Sequence, residues 1–185
     1  PYLTVNFKQE ADIVRSLGEI AKAGHIEPGL KPVNWCLDCG SSLAEAEVEY
    51  EDKKSDAIDV GFTVVDLPDL SARLGVTVSD STDIVIWTTT PWTLPANQAV
   101  ALHAEIDYQL VKAVAENKTA QNLILAKNLV ESATQHKDYE SFEVLAEFTG
   151  DKLENLVLQH PLIVERQVPV ILGEHVTADS GTGAV

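Results

Sequence analysis

From residue 57 onward, short apolar runs recur with turn residues between them, and this pattern limits the fold more than any other feature. Residues 58–65, 83–87, 98–101, 108–114, 123–125 and 168–172 are strand candidates, rich in Val, Ile, Leu and Ala. Helical candidates are 67–74, 126–136 and 150–156. Many short strands broken by turns predict a mixed α+β fold dominated by β, a closed or nearly closed β-barrel with peripheral helices. No internal repeat or low-complexity tract interrupts it.

The first third reads differently. Residues 8–23 carry Ala11, Val14, Leu17, Ile20 and Ala21 at helical spacing, and Gly24 is a natural stop. The single apolar stripe suits either a helix that packs on a neighbouring domain or a plain surface helix. Pro28-Gly29-Leu30-Lys31-Pro32 is a turn-rich joint. The alternation of acidic with small or apolar residues over 45–50 predicts a half-exposed strand, and 51–56 a loop. The expected organisation is a flanking helix over 1–27, a linker over 28–56 and the barrel over 57–185.

Composition sets the outer bounds. With 45% hydrophobic residues the chain can build a core, yet no apolar run approaches the roughly 18 residues of a membrane span. The opening lacks a basic segment followed by an apolar one, so a cytoplasmic setting without a membrane partner is expected. The absence of methionine leads to the expectation of an internal piece of a longer protein. Asp and Glu number 29 against 13 Lys and Arg, a net charge of −16. Such a surface has no general attraction for phosphate, so any contact with RNA must be local or supplied by another part of the protein.

Two segments can carry chemistry. Cys36 and Cys39, the only cysteines, form a CxxC followed by Gly40-Ser41-Ser42. A redox pair wants its first thiol at a helix start, whereas a glycine after the second cysteine favours a knuckle that aims two thiolates at one zinc ion. With no second pair in the chain this is half a zinc site, the alternative being free or buried cysteines. The second segment is Ile84-Val85-Ile86-Trp87-Thr88-Thr89-Thr90-Pro91-Trp92-Thr93-Leu94-Pro95-Ala96-Asn97. A β-branched strand runs into three hydroxyls, and Thr90-Pro91 suits a helix start. The turn therefore gathers Thr88, Thr89, Thr93 and Asn97. Threonine hydroxyls are weak nucleophiles without a base but hold a water or a sugar hydroxyl well; a capped turn with no ligand is the competing reading. His175 lies near the Gly181-Thr182-Gly183 segment, while His25, His103, His136 and His160 have no ligand-spaced partner; all five are expected to be structural. No GxSxG elbow, HExxH helix or phosphate-cradling glycine loop occurs.

The run WTTTPWTLPAN resembles the threonine-rich signature of the editing domain in isoleucyl-tRNA synthetases of the bacterial type. PYLTVNFKQEADIVRSLGEI is similar to the end of the first part of that family's catalytic domain. KPVNWCLDCGSSLAEAEVEY resembles the passage into the editing insertion, and ILGEHVTADSGTGAV its ILGxHV…GTGAV strand. The resemblance implies an editing barrel that hydrolyses valine from mischarged tRNA(Ile). One methylene is worth only about 1–3 kcal/mol to a pocket, a general figure for which this family is the usual illustration, so a second sieve is needed. It assigns catalytic roles to Thr88, Thr89, Thr90, Thr93 and Asn97 and substrate binding to Trp92, Thr182 and Gly183. Cys36 and Cys39 become a metal half site. It implies no cofactor within this chain, with zinc possible in the longer protein and ATP used by its catalytic domain. The partners implied are the 3′ end of tRNA(Ile) carrying valine and the remainder of the synthetase. In the family GTGAV continues into His-Thr-Ala-Pro-Gly-His-Gly and an aspartate that grips the amino group. That anchor and the pocket histidine map to no residue here, so the barrel is expected to be C-terminally truncated. A valyl-type editing domain, which continues with Arg-Pro rather than Thr-Pro-Trp, and a catalytically incomplete RNA-docking barrel are the alternatives.

Overall fold

A computed structural model describes residues 3–52, 54–115, 120–136 and 139–185. Pro1 and Tyr2 of the opening segment and the side chain of His136 lie outside the described residues. The chain divides into two compact units, Pro1–Lys53 and Lys54–Val185.

In the first unit α1 spans Phe7–Lys22. Asn6 caps it, its side chain accepting from the Lys8 N–H at 3.0 Å. No residue of α1 is buried, so its apolar stripe, Ile13, Val14, Leu17 and Ile20, is exposed. A hairpin follows, β1 (Asn34–Cys36) paired antiparallel with β2 (Ser41–Leu43). The strand expected over 45–50 is instead a single 3₁₀ turn, Glu45–Glu47. The Glu47 carboxylate accepts from the Ala44 N–H at 2.8 Å and curls the chain back on itself. Acidic alternation alone has no face to bury.

The second unit is mixed α/β and mostly sheet. Its strands are β3 (Ile58–Val64), β4 (Thr82–Thr88), β5 (Val100–Leu102), β6 (Asp107–Ala115), β7 (Gln121–Ala126), β8 (Tyr139–Thr149), β9 (Val157–Gln159) and β10 (Gln167–Leu172). Two helices accompany them, α2 (Leu67–Leu74) and α3 (Val130–His136). The strands form one sheet in the order β5-β10-β9-β3-β4-β7-β6-β8, with β10/β5 and β4/β7 parallel and the other pairs antiparallel. Among the described residues no pairing joins β5 to β8, so these hydrogen bonds draw an open sheet and do not by themselves complete the closed or nearly closed barrel expected. Val185 adds to the β5 side, where its N–H and carbonyl both bond with Ala101.

The central strands are buried on both faces. On β4, Ile84 and Ile86 enter the main core with Phe62, Tyr108, Leu110 and Leu158. Val85 points the other way, into a smaller cluster with Val111, Leu123, Leu125 and α3 residues Val130 and Ala133. That double burial is why β4 and β7 read as unbroken apolar runs instead of alternating ones. The 150–156 segment is helical only as a 3₁₀ turn over Gly150–Leu153. Asn155, at φ 63°, leaves the helical path, and its N–H goes to the Val170 carbonyl. No described helix is long and apolar enough to cross a membrane.

Candidate functional site

β4 delivers the threonines. Its last residue, Thr88, still pairs with Ile58 across the β3 ladder, and the chain then turns into a 3₁₀ segment, Pro91–Ala96. Thr90 stands at the cap position before Pro91, yet its side chain makes no capping bond. The Thr88 hydroxyl instead closes a local turn before the helix, accepting from the Thr90 N–H at 3.0 Å and lying 3.2 Å from the Thr90 hydroxyl. The Thr90 carbonyl accepts from both the Thr93 N–H (3.0 Å) and the Thr93 hydroxyl (2.8 Å). Thr88, Thr90 and Thr93 thus form one hydrogen-bonded turn. Ser55 fixes the backbone of Thr89 by donating to its carbonyl at 3.0 Å. Among the described residues the Thr89 hydroxyl has no partner, which leaves it available to a ligand.

The second wall is the loop through Gly181, Thr182 and Gly183. The Thr182 carbonyl accepts from the Ala126 N–H at 2.9 Å, tying the loop to the end of β7. The Gly183 carbonyl accepts from the hydroxyl of fully buried Tyr108 at 2.7 Å, and that hydroxyl in turn accepts from the His103 N–H at 3.1 Å. Gly183 sits at φ 77°, and a Cβ there would overlap the Cβ of Ala126. Glycine is required at this position on both counts. The Thr182 side chain is turned inward and buried, its hydroxyl 3.4 Å from the Ala184 carbonyl.

Two adjoining depressions result. One, of about 290 Å³, is lined by Thr88, Thr89, His175, Thr177, Thr182 and Gly183. The other, of about 390 Å³, is lined by Thr88, Thr90, Thr93, Leu94 and Asn97. Trp87, Thr88 and Val185 border both. The expected gathering is therefore split: Thr89 and Asn97 lie on opposite sides of Thr88, in different depressions. Trp92, expected to form a wall, borders neither and is 71% exposed, because the 3₁₀ turn points it outward. Among the described residues no Asp, Glu, Lys or Arg lines either depression, and His175 is the one titratable side chain that does. Hydroxyls and backbone in a neutral hollow can hold water and an ester but offer no strong nucleophile.

His160 is a core residue behind the turn, as expected of it. Sequence reading missed the groups that hold the site from behind: Ser55, Tyr108, His160 and Arg166. Each lies more than 30 residues from what it holds, so no local pattern marks it.

Cys36 and Cys39 lie on the β1–β2 turn, where the Cys39 N–H donates to the Cys36 sulfur at 3.2 Å and the Gly40 N–H to the Cys36 carbonyl at 3.0 Å. Those donors, the Cys39 backbone first and its thiol next, hold the Cys36 thiol below the ordinary thiol range. Cys39 is pushed up because its thiol donates to Cys36. Two sulfurs on one turn suit a tetrahedral ion, but no cluster of three or more His, Cys, Asp or Glu side chains occurs among the described residues. The set fits half of a structural zinc site and no more.

The family description "tRNA synthetases class I (I, L, M and V)" matches residues 1–161. The chain is 78% identical over its whole length to an isoleucine–tRNA ligase of Acinetobacter baylyi, of which it covers 20%. It is 60% identical, again over its whole length, to one of Chromobacterium violaceum, of which it covers 19%. The chain thus spans about a fifth of the length of these relatives. In structure it is similar to the editing domain of P. knowlesi cytosolic leucyl-tRNA synthetase, with TM-score 0.60 and 10% identity, covering 75% of this chain and 61% of that one. It is also similar to the structure described as GlLeuRS-CP1, with TM-score 0.54 and 16% identity, covering 70% of this chain and 52% of that one. At those identities the likeness speaks for the fold.

Proposed function

Because the chain belongs to the class I tRNA synthetases (I, L, M and V), we propose that it is the editing part of an isoleucyl-tRNA synthetase, hydrolysing valine from tRNA(Ile). The observation that carries this reading is the meeting of two remote segments, 88–97 and 181–185, around Thr88 in a neutral, hydroxyl-lined hollow. An aminoacyl ester is already activated, so its hydrolysis needs no enzymic nucleophile. Positioning a water against the ester carbonyl supplies most of the rate. The free hydroxyl of Thr89 is the group best placed to hold that water or the neighbouring ribose hydroxyl. The second sieve requires the bound tRNA end and the rest of the site together to leave room for valine but not for isoleucine.

The whole protein, on this reading, charges tRNA(Ile) with isoleucine using ATP in a separate catalytic domain, in the cytoplasm. Zinc, if held, takes Cys36 and Cys39 with two ligands from elsewhere in that protein. The barrel implied by the family resemblance requires partners for the outer sides of β5 and β8; the ladder of Val185 on Ala101 begins one of them. Thr-Pro-Trp after the threonine pair argues against a valyl-type domain.

The test is Thr89→Ala in the intact synthetase, assayed on valyl-tRNA(Ile) and isoleucyl-tRNA(Ile). Slower removal of valine, or new attack on isoleucyl-tRNA through the enlarged hollow, is expected, with ATP-dependent activation of isoleucine unchanged. Unaltered deacylation of both substrates would leave a non-catalytic RNA-docking module as the better account.

A further inference from the structure

The loop between β9 and β10, residues 160–166, holds the backbone of the threonine turn at Leu94, Pro95 and Asn97. Arg166 donates from Nη1 to the Pro95 carbonyl at 2.7 Å and to the Asn97 carbonyl at 3.3 Å. His160 accepts at Nδ1 from the N–H groups of Leu162 (3.1 Å) and Ile163 (3.0 Å), which leaves its proton on Nε2. That Nε2–H donates to the Leu94 carbonyl at 2.9 Å. Arg166 is itself anchored: its carbonyl accepts from the His160 N–H at 3.0 Å and from Gln159 Nε2 at 2.9 Å. The carbonyls at the exit of a helical turn lack partners within it, and a cation there serves them well. Here one loop takes up those of residues 95 and 97, and it adds a second donor to the Leu94 carbonyl, which already accepts from the Asn97 N–H at 2.9 Å.

Asn97 is the residue this grip affects most. Its side-chain nitrogen is committed to the Ala99 carbonyl at 2.9 Å, while its Oδ1 is buried without a partner among the described residues. A buried acceptor left unmatched costs free energy, so the place of this side chain is fixed by the structure around it and not by bonds to its own oxygen. Asn97 borders the same depression as Thr88, Thr90 and Thr93; Arg166 borders neither depression.

We infer that Arg166 is a positioning residue: by fixing the carbonyls of Pro95 and Asn97 it sets the backbone that places Asn97 on the depression it shares with Thr88, Thr90 and Thr93. The inference rests on the editing reading above. Both bonds leave one nitrogen, Nη1, whose two hydrogens are held in the guanidinium plane, whereas those of an ammonium on a flexible stem rotate freely.

The experiment uses the intact synthetase with Arg166→Ala, Arg166→Lys, Asn97→Ala and the Arg166→Ala/Asn97→Ala double variant, with Thr89→Ala in parallel. The readouts are kcat and KM for valyl-tRNA deacylation and a thermal melt. Arg166→Ala should lower kcat on the order of ten-fold at temperatures well below its melt, with KM little changed, since small misplacements reduce rate more than binding. Arg166→Lys should recover part of that loss. In the Asn97→Ala background, Arg166→Ala should cost nothing further, because its route to the reaction is already gone. An equal drop in both backgrounds, or a lowered melt with unchanged kcat, would overturn the positioning role. If Thr89→Ala or Asn97→Ala slows deacylation while Arg166→Ala does not, this inference alone fails. If neither Thr89→Ala nor Asn97→Ala has any effect, the editing reading fails and the inference goes with it.

Discussion

Tyr108 and Gly183 carry the residue-scale consequences of the fold. The Tyr108 hydroxyl is the partner of the Gly183 carbonyl, so Tyr108→Phe keeps the packing and orphans a buried acceptor. A loss of about 1–3 kcal/mol is expected, read as a drop of roughly 2–4 °C in Tm for each kcal/mol. Burial pushes the Tyr108 phenol up, so the folded chain holds that proton more tightly than the unfolded one. Stability from the neutral phenol is therefore complete below the unfolded value of about 10 and is lost as pH rises through the folded value. Urea titrations above that pH should show a steeper alkaline decline for the native chain than for Tyr108→Phe. Gly183→Ala is a harsher change, because it combines a left-handed backbone, costing about 1–2 kcal/mol, with overlap on Ala126. It should displace the second wall of the site, and melting together with valyl-tRNA deacylation should both register it. At the knuckle, the thiols differ in sign of shift, so limited alkylation near neutral pH should label Cys36 ahead of Cys39. Equal labelling, mapped by peptide mass, would contradict the hydrogen-bond arrangement of the turn.

At the scale of elements, β8 is the instructive case. It is an 11-residue strand that was not among the expected ones, although Phe142, Val144, Ala146 and Phe148 alternate as though on one face. Its ladder with β6 shows that they are not on one face. Leu110 faces Ala146 but Val111 faces Val144, so Leu145 is an extra residue in a bulge, and a second irregularity falls between Val114 and Ala115. Phe148 and Ala146 therefore meet the Tyr108–Leu110 face, whereas Val144 and Phe142 meet the opposite face with Val111 and Ala113. A period of two cannot be read through a change of face. Deleting Leu145 should remove the bulge while leaving Val144 opposite Val111 and Phe142 opposite Ala113, so both faces are kept. A change of no more than about 1 kcal/mol in urea unfolding is therefore expected, and a loss of several kcal/mol would refute the bulge. The threonine turn shows the converse. Thr90-Pro91 placed the turn correctly in the sequence, but no hydroxyl caps it: the Thr88 hydroxyl binds the Thr90 N–H ahead of the segment, and the Thr90 carbonyl takes the Thr93 N–H and hydroxyl in a short 3₁₀ path.

For the whole molecule, the net charge of −16 sets how the chain meets RNA. Phosphate affinity grows with the number of Lys and Arg that displace counterions. The isolated chain should therefore show no tRNA binding that strengthens as salt is lowered, in contrast to the intact synthetase. Filter binding at low and at moderate salt would decide it, and a steep salt dependence for the isolated chain would point to a basic groove that its composition does not suggest.

The sequence by itself determined the local grammar of this protein. Residues that bury on both faces of a sheet must be apolar without interruption, so 83–87 and 123–125 announced β4 and β7. Likewise Leu67–Leu74 was legible as a helix from its own spacing, and the threonine run announced a turn at the end of a strand. Tertiary structure alone decided which remote groups meet. Thr88 came to border both the 88–97 turn and the 181–185 loop only because β7 and buried Tyr108 hold that loop against the end of the sheet. The separation of Thr89 from Asn97, the outward turn of Trp92 and the reach of Arg166 to Pro95 and Asn97 were likewise unreadable beforehand. The physical reason is that hydrophobic periodicity reports which face of an element is buried, whereas a hydrogen bond across 69 residues depends on where two backbones are brought by everything packed between them.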